Sequence, residues 1–174
     1  MELQTLLTGW LENVARKIEQ DFAQIARCAR LLSHEQLWHR VNRHCNAVGN
    51  LVVPLDGNVR EWILGGVAGQ AVSRNRPDEF SPSAERSLEQ ALSPLESTVR
   101  RACEVIRGLG APELAIVRTI QAYTVTTLDA VFHVAEHFSF HTGQIVHMTT
   151  ALRDVDLSLY DDAGRSHRDS VGLW

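Results

Sequence analysis

The chain reads as all-α, a four-helix bundle with long crossover connections. Three observations predict it. Four stretches return an apolar residue every three or four positions, which is the helical period. Glycines, prolines and cap residues fall mainly between those stretches. The connections before the third and fourth stretches are too long for tight hairpins. At 174 residues one domain accommodates the whole chain, with a polar tail from about 154 to 174 laid over the surface.

The first helix spans about Glu2 to Leu32. Leu3, Leu7, Trp10, Val14, Ile18, Phe22 and Ile25 form one stripe, and Glu12, Arg16, Lys17, Glu19 and Asp21 fall between them. A connection from Ser33 to Cys45 carries His34, Trp38, His39 and His44. The second helix starts at Asn46, a good cap residue. Val48, Leu51, Val52, Leu55, Val59, Trp62 and Ile63 supply its apolar face, and Gly65, Gly66 and Gly69 finish it. Pro54 lies inside it, which removes a hydrogen bond, costs about 3 kcal/mol and predicts a kink.

Gly69 to Ser83 is a charged loop in which Arg74, Arg76, Asp78 and Glu79 read as local ion pairs or an anion site. The third helix starts near Ser81 or Ser83, without a full capping box, and runs to about Leu109. Leu88, Leu92, Leu95, Val99, Cys103 and Ile106 make its stripe, and Pro94 predicts a second kink or break. Gly108 and Gly110 stop it. From Ala111 to Tyr123 the residues are β-branched or aromatic without an evident partner strand, so an irregular or extended connection is expected. Thr126 or Thr127 caps the fourth helix, which runs to about Leu152 with Asp129 at its positive end.

Composition narrows the function classes. A net charge of −4 without a basic run argues against a nucleic-acid partner. Cys28, Cys45 and Cys103 are odd in number and lack a CxxC spacing, which points to buried thiols in a reducing compartment. The opening residues do not read as a signal peptide, and no stretch approaches the ~20 apolar residues of a membrane span. A cytoplasmic protein without membrane partners is expected.

The densest chemistry lies in His133-Val-Ala-Glu-His137-Phe-Ser-Phe-His141. Residues four apart share a helix face, so adjacent imidazoles can reach one metal ion. His133 and His141 stand about 12 Å apart along the axis, which excludes one ion for all three. The helical projection puts His137 and His141 in the core-facing stripe with Ala130, Val134, Phe138 and Ile145, and His133 at its edge. Satisfied or surface histidines are the bland alternative. No Glu follows the first His of a pair, so HExxH chemistry is absent. Phe132, Val146, Leu128 and Ala135 on the far side predict a homodimer through this helix.

Several blocks together resemble one family. They are Leu37-Trp38, Asn46-Ala-Val-Gly-Asn50-Leu51, Gly57-Asn58-Val-Arg60-Glu-Trp62-Ile63, Arg74-Asn-Arg76-Pro-Asp-Glu79-Phe80 and His137-Phe-Ser-Phe-His141-Thr-Gly143-Gln144-Ile145. The chain resembles the DinB-like superfamily from about Leu3 to Tyr160, and within it an uncharacterised bacterial branch. The resemblance implies a four-helix bundle with a divalent metal, often zinc or nickel, near one end. It implies one histidine ligand from the second helix and an i, i+4 pair from the fourth, here His137 and His141. The second-helix ligand precedes a Leu-x-Gly-Asn segment. In this chain that segment is Leu55-Asp56-Gly57-Asn58, preceded by Pro54, which has no donor atom. Asn50 and Asn58 one turn either side are poor zinc ligands, and His133 is a fallback if the site shifts one turn.

Two functions follow from the resemblance and a third from packing alone. Some relatives are transferases or isomerases that activate a small thiol at the metal, and His39 and His44 would then help line the substrate pocket. A degenerate, non-catalytic member that has lost the metal is the second. A purely structural dimer is the third.

Overall fold

The computed structural model describes residues 3–79, 86–164 and 166 and is mostly helical. Helix α1 (Leu3–Arg30) opens the chain, followed by a single turn, α2 (His34–Leu37). Helix α3 (Gly49–Val59) continues without interruption into a π-helical segment, Arg60–Val67. A turn in the charged loop, α4 (Arg76–Glu79), precedes α5 (Leu88–Arg107) and a short α6 (Ala111–Leu114). Strands β1 (Val117–Ile120) and β2 (Tyr123–Thr126) pair antiparallel and lead directly into α7 (Thr127–Arg153).

The long helices pack as a closed ring. Helix α1 lies along α5 and α7, while α3 lies along α5 and, with its π extension, along α7. Consecutive α1 and α3 therefore sit across from each other, as do α5 and α7. Crossovers occupy the first and last connections; the connection between α3 and α5 joins neighbours. The core fills the ring with Ile18, Ile25, Leu55, Ile63, Leu92, Leu95, Ile106, Phe138 and Ile145, all buried. Polar ties link its helices: Ser139 donates to the buried Asp21 at 2.8 Å, Thr98 donates to Asp56 at 2.6 Å, and Arg107 pairs with Glu12 and Glu19 at its edge. No described helix is long and apolar enough to cross a membrane.

Helix ends obey their caps. Thr126 and Asp129 form a reciprocal capping box at α7, as the sequence led one to expect. The box at α5 uses Ser87 and Gln90, so this helix begins later than the sequence reading placed it. Ser81 and Ser83 lie outside the described residues. The start of α3 is also later than expected. Val48 is its N-cap without a side-chain bond, and Asn46 does not cap it. Instead Asn50 Oδ1 accepts the Ala47 N–H and the Arg40 guanidinium, and the Trp38 ring lies where a Cβ on Gly49 would be. Helix α5 runs through Pro94 and α3 through Pro54, so neither proline ends its helix.

The largest departure is the β-hairpin. Its turn is Gln121-Ala122, with Gln121 in the left-handed region at φ 55°. No Asn-Gly or Asp-Gly marks it, so the usual hairpin signal is missing. Ile120 seats against the π segment where a Cβ on Gly66 would stand. Past α7, buried Leu157 and an Arg27-to-Leu157 carbonyl bond of 2.8 Å hold the chain against α1. The tail beyond Gly164, Ser166 excepted, lies outside the described residues.

Ser87→Ala removes the α5 box and is expected to lower stability by about 1 kcal/mol in urea unfolding; an unchanged midpoint would place the helix start elsewhere.

Candidate functional site

A cavity of about 630 Å3 opens between α3, α7, the Arg74 loop and the hairpin. Its wall carries Asn50, Pro54, Asn58 and Trp62 from α3 and the π segment, facing His133, His137 and His141 from α7. The π segment matters to this arrangement. Its i→i+5 bonding rotates the residues after Val59 relative to an α-helix, and Trp62, 4% exposed, comes to lie on His133 with ring centroids 4.0 Å apart. Tyr123 of β2 reaches the same indole at 6.0 Å.

The histidines form a continuous ladder. His133 and His137 stack at 5.6 Å, and His137 meets His141 edge to face at 4.4 Å. The buried stripe of α7 is Ala130, Val131, Val134, Phe138, Thr142, Ile145 and Thr149. All three histidines flank it, half-buried, so His137 and His141 are less central than the helical projection implied and His133 is their equal. The Asn58 amide approaches His133 Nε2 at 3.4 Å, and His141 Nδ1 donates to Gln144 Oε1 at 2.7 Å. Burial lowers the pKa of all three. It falls furthest at His137, to about 4, where the flanking histidines and Arg74 and Arg76 add to burial. These imidazoles are neutral at pH 7, with ring nitrogens able to accept a proton or a hydrogen bond.

The loop wall is held by one guanidinium. Arg74, 7% exposed, donates to both Glu79 oxygens at 2.7 and 2.6 Å, to Glu61 at 2.6 Å and to the Pro54 carbonyl at 3.4 Å. Glu61 also accepts from Gln121 at 2.6 Å, which ties in the hairpin tip. Burial raises the Glu61 pKa, but the Arg74 and Gln121 bonds outweigh it and leave it lowered. Gly57 provides the room, because a Cβ there would run into Glu79 and Arg74. Of the two sequence readings for this cluster, ion pairing that orders the loop describes Arg74 and Glu79.

Among the described residues, three on this wall keep buried polar atoms without a partner: Asn50 Nδ2, Asn58 Oδ1 and Trp62 Nε1. Each such atom costs about 1–3 kcal/mol. Their concentration on one wall marks a place where stability yields to another demand.

The metal that the resemblance implies does not fit this donor set. His137 and His141 stand on the wall as a pair, but across from them are Pro54 and two amides. Among the described residues, no three His, Cys, Asp or Glu side chains gather as a metal set. His133, the fallback, turns its ring face to Trp62 and Nε2 to Asn58. His39 and His44 do not line the cavity: His39 borders a separate cleft near Leu152, and His44 accepts from Arg43. No cysteine lines it either, and the buried Cys103 thiol is pushed up to about 12, mainly by burial. Sequence reasoning missed Tyr123, Gln121 and the unpartnered atoms, since the hairpin that brings the first two carried no turn signal.

A family model described as "Protein of unknown function (DUF1572)" matches residues 6–160, nearly the span on which the resemblance rested. No curated protein and no solved structure matches the chain.

His137 gives the site a pH signature. Its folded pKa lies below the ordinary histidine value, so the unfolded chain binds the extra proton and stability falls with pH between about 6.5 and about 4. Urea unfolding across that window is expected to show a shallower acid loss in His137→Asn than in the parent; parallel curves would place the acid sensitivity elsewhere.

Proposed function

We propose that this chain, which belongs to the DUF1572 family within the DinB-like superfamily, is a degenerate member that binds a small organic molecule where relatives hold a metal. The ring of four long helices supports reading the fold as the DinB-like four-helix bundle. The observation that carries the function is the cavity wall itself. It sets three neutral histidines opposite Asn50, Asn58 and Trp62, whose buried polar atoms lack partners among the described residues, with a proline beside them in the ligand position. Such a wall rewards a bound organic molecule with hydrogen-bonding groups.

A zinc- or nickel-dependent thiol transferase remains the reading inherited from the resemblance. Its support is the retained pair His137 and His141, and no step is derived through a metal that this donor set does not complete. A non-catalytic homodimer through α7 is favoured by exposed Leu128, Phe132 and Phe140 on that helix.

Two measurements decide among these. The purified parent is expected to titrate zinc or nickel weakly, and Pro54→His to bind at least tenfold more tightly by completing three histidines. Tight binding by the parent, unchanged in Pro54→His, would refute the degenerate site. In sedimentation velocity the parent is expected to run as a dimer and Phe140→Glu as a monomer; a monomeric parent removes the dimer.

A further inference from the structure

The cavity has two unlike charged walls. On the α4 side, which packs against α3, Arg76 lines the cavity and takes part in no ion pair or hydrogen bond among the described residues. Its neighbour Arg74 is spent on Glu61 and Glu79. On the α7 side Glu136 lines the cavity and is likewise unpaired among the described residues. Asp129 adds a second carboxylate on that side, although its oxygens already serve the Thr126 cap. Aromatic faces gather near this acidic wall: Trp62 and Tyr123 lie 6.0 Å apart, and Phe132 lines the cavity one turn before Glu136.

The walls address different rungs of the ladder. Arg74 and Arg76 act on His137, and Glu136 acts on His133. The two rings are 5.6 Å apart, about one helical turn. A polyanion entering here meets Glu136 and Asp129, and a simple cation meets Arg76. A neutral molecule leaves both uncommitted charges without partners.

We infer that the cavity takes a small zwitterion, with its carboxylate at Arg76 and its ammonium at Glu136 among Trp62, Tyr123 and Phe132. Guanidinium and carboxylate form charge-assisted hydrogen bonds, and an ammonium beside aromatic faces and a carboxylate gains cation–π attraction. The two charges stand on different walls of the cavity, so the molecule that suits it carries its ammonium and its carboxylate at separate ends. This inference rests on the proposed role of the cavity as a metal-free binding site.

The test is a titration of the full chain followed by NMR, reading the Trp62 indole N–H signal identified with Trp62→Phe. Probes are 4-aminobutyrate, glycine, 6-aminohexanoate, butyrate, butylamine and butyramide. Expected is a saturable shift with 4-aminobutyrate, weaker by about tenfold for the singly charged and neutral analogues. Arg76→Ala and Glu136→Gln, both at exposed positions that the fold tolerates, are each expected to weaken 4-aminobutyrate by about tenfold. If butyrate, butylamine or butyramide binds as well as 4-aminobutyrate, the cavity is a binding site and the zwitterion is wrong. If either variant binds like the parent, its assigned charge is wrong and the inference fails. If no probe moves the Trp62 signal, both the inference and the binding role on which it rests are overturned.

Discussion

The cavity depends on one buried cation. Arg74 ties the loop to the continuous helix beside it: it reaches α3 at the Pro54 carbonyl, the π segment at Glu61 and the loop's own Glu79. Glu61 then passes the connection to the hairpin through Gln121. Without Arg74 two carboxylates would face each other near the bundle surface, and removing one partner of a buried pair is far more damaging than never having had it. Gly57 is part of the same constraint, since any side chain there would displace the clasp.

The π segment is the second requirement, and it follows the first in the chain. It sets Glu61 toward Arg74 and Trp62 toward His133 within two residues. π-helical turns are uncommon and occur often at functional sites. Here the turn is accompanied by Gly65 and Gly66, and the latter gives Ile120 its seat. The wall thus gathers a π-helical segment, an interior proline and unpartnered polar atoms in one place, while the α1–α5 side of the ring is packed with Ile18, Leu92, Leu95 and Ile106. A packed scaffold on one side and uncompensated polarity on the other is the contrast on which the proposed binding role rests.

Much of this was legible in the residues. The periodic stripes placed α1 and α7 within a few positions and the end of α5 near Arg107, and of the two threonines offered as the α7 cap it is Thr126, with Asp129, that forms the box. Pro54 was recognisable as an interior helix residue, and the structure keeps it inside α3. The cap at Ser87 was missed because Ser81 and Ser83 offered earlier candidates of equal chemistry. The hairpin was missed because Gln121 adopts a positive φ that its residue type does not advertise. The π segment has no signature in apolar spacing, so the approach of Trp62 to His133 was invisible. His133 consequently read as peripheral, although the folded chain makes it the rung that Trp62 and Asn58 both touch.

The diagonal placement of consecutive helices has a consequence during synthesis. Helix α1 precedes its extensive packing partners, α5 and α7, in the chain. Its apolar stripe therefore leaves the ribosome with its partners still unmade, and the next long helix does not cover it. At about 5–20 residues per second, many seconds pass before α7 arrives to close the ring. For that interval a 28-residue amphipathic helix carries its apolar stripe without the helices that bury it, the kind of transient exposure that makes folding chains prone to aggregate. The histidine ladder, carried on the last helix, comes into being only when that exposure ends.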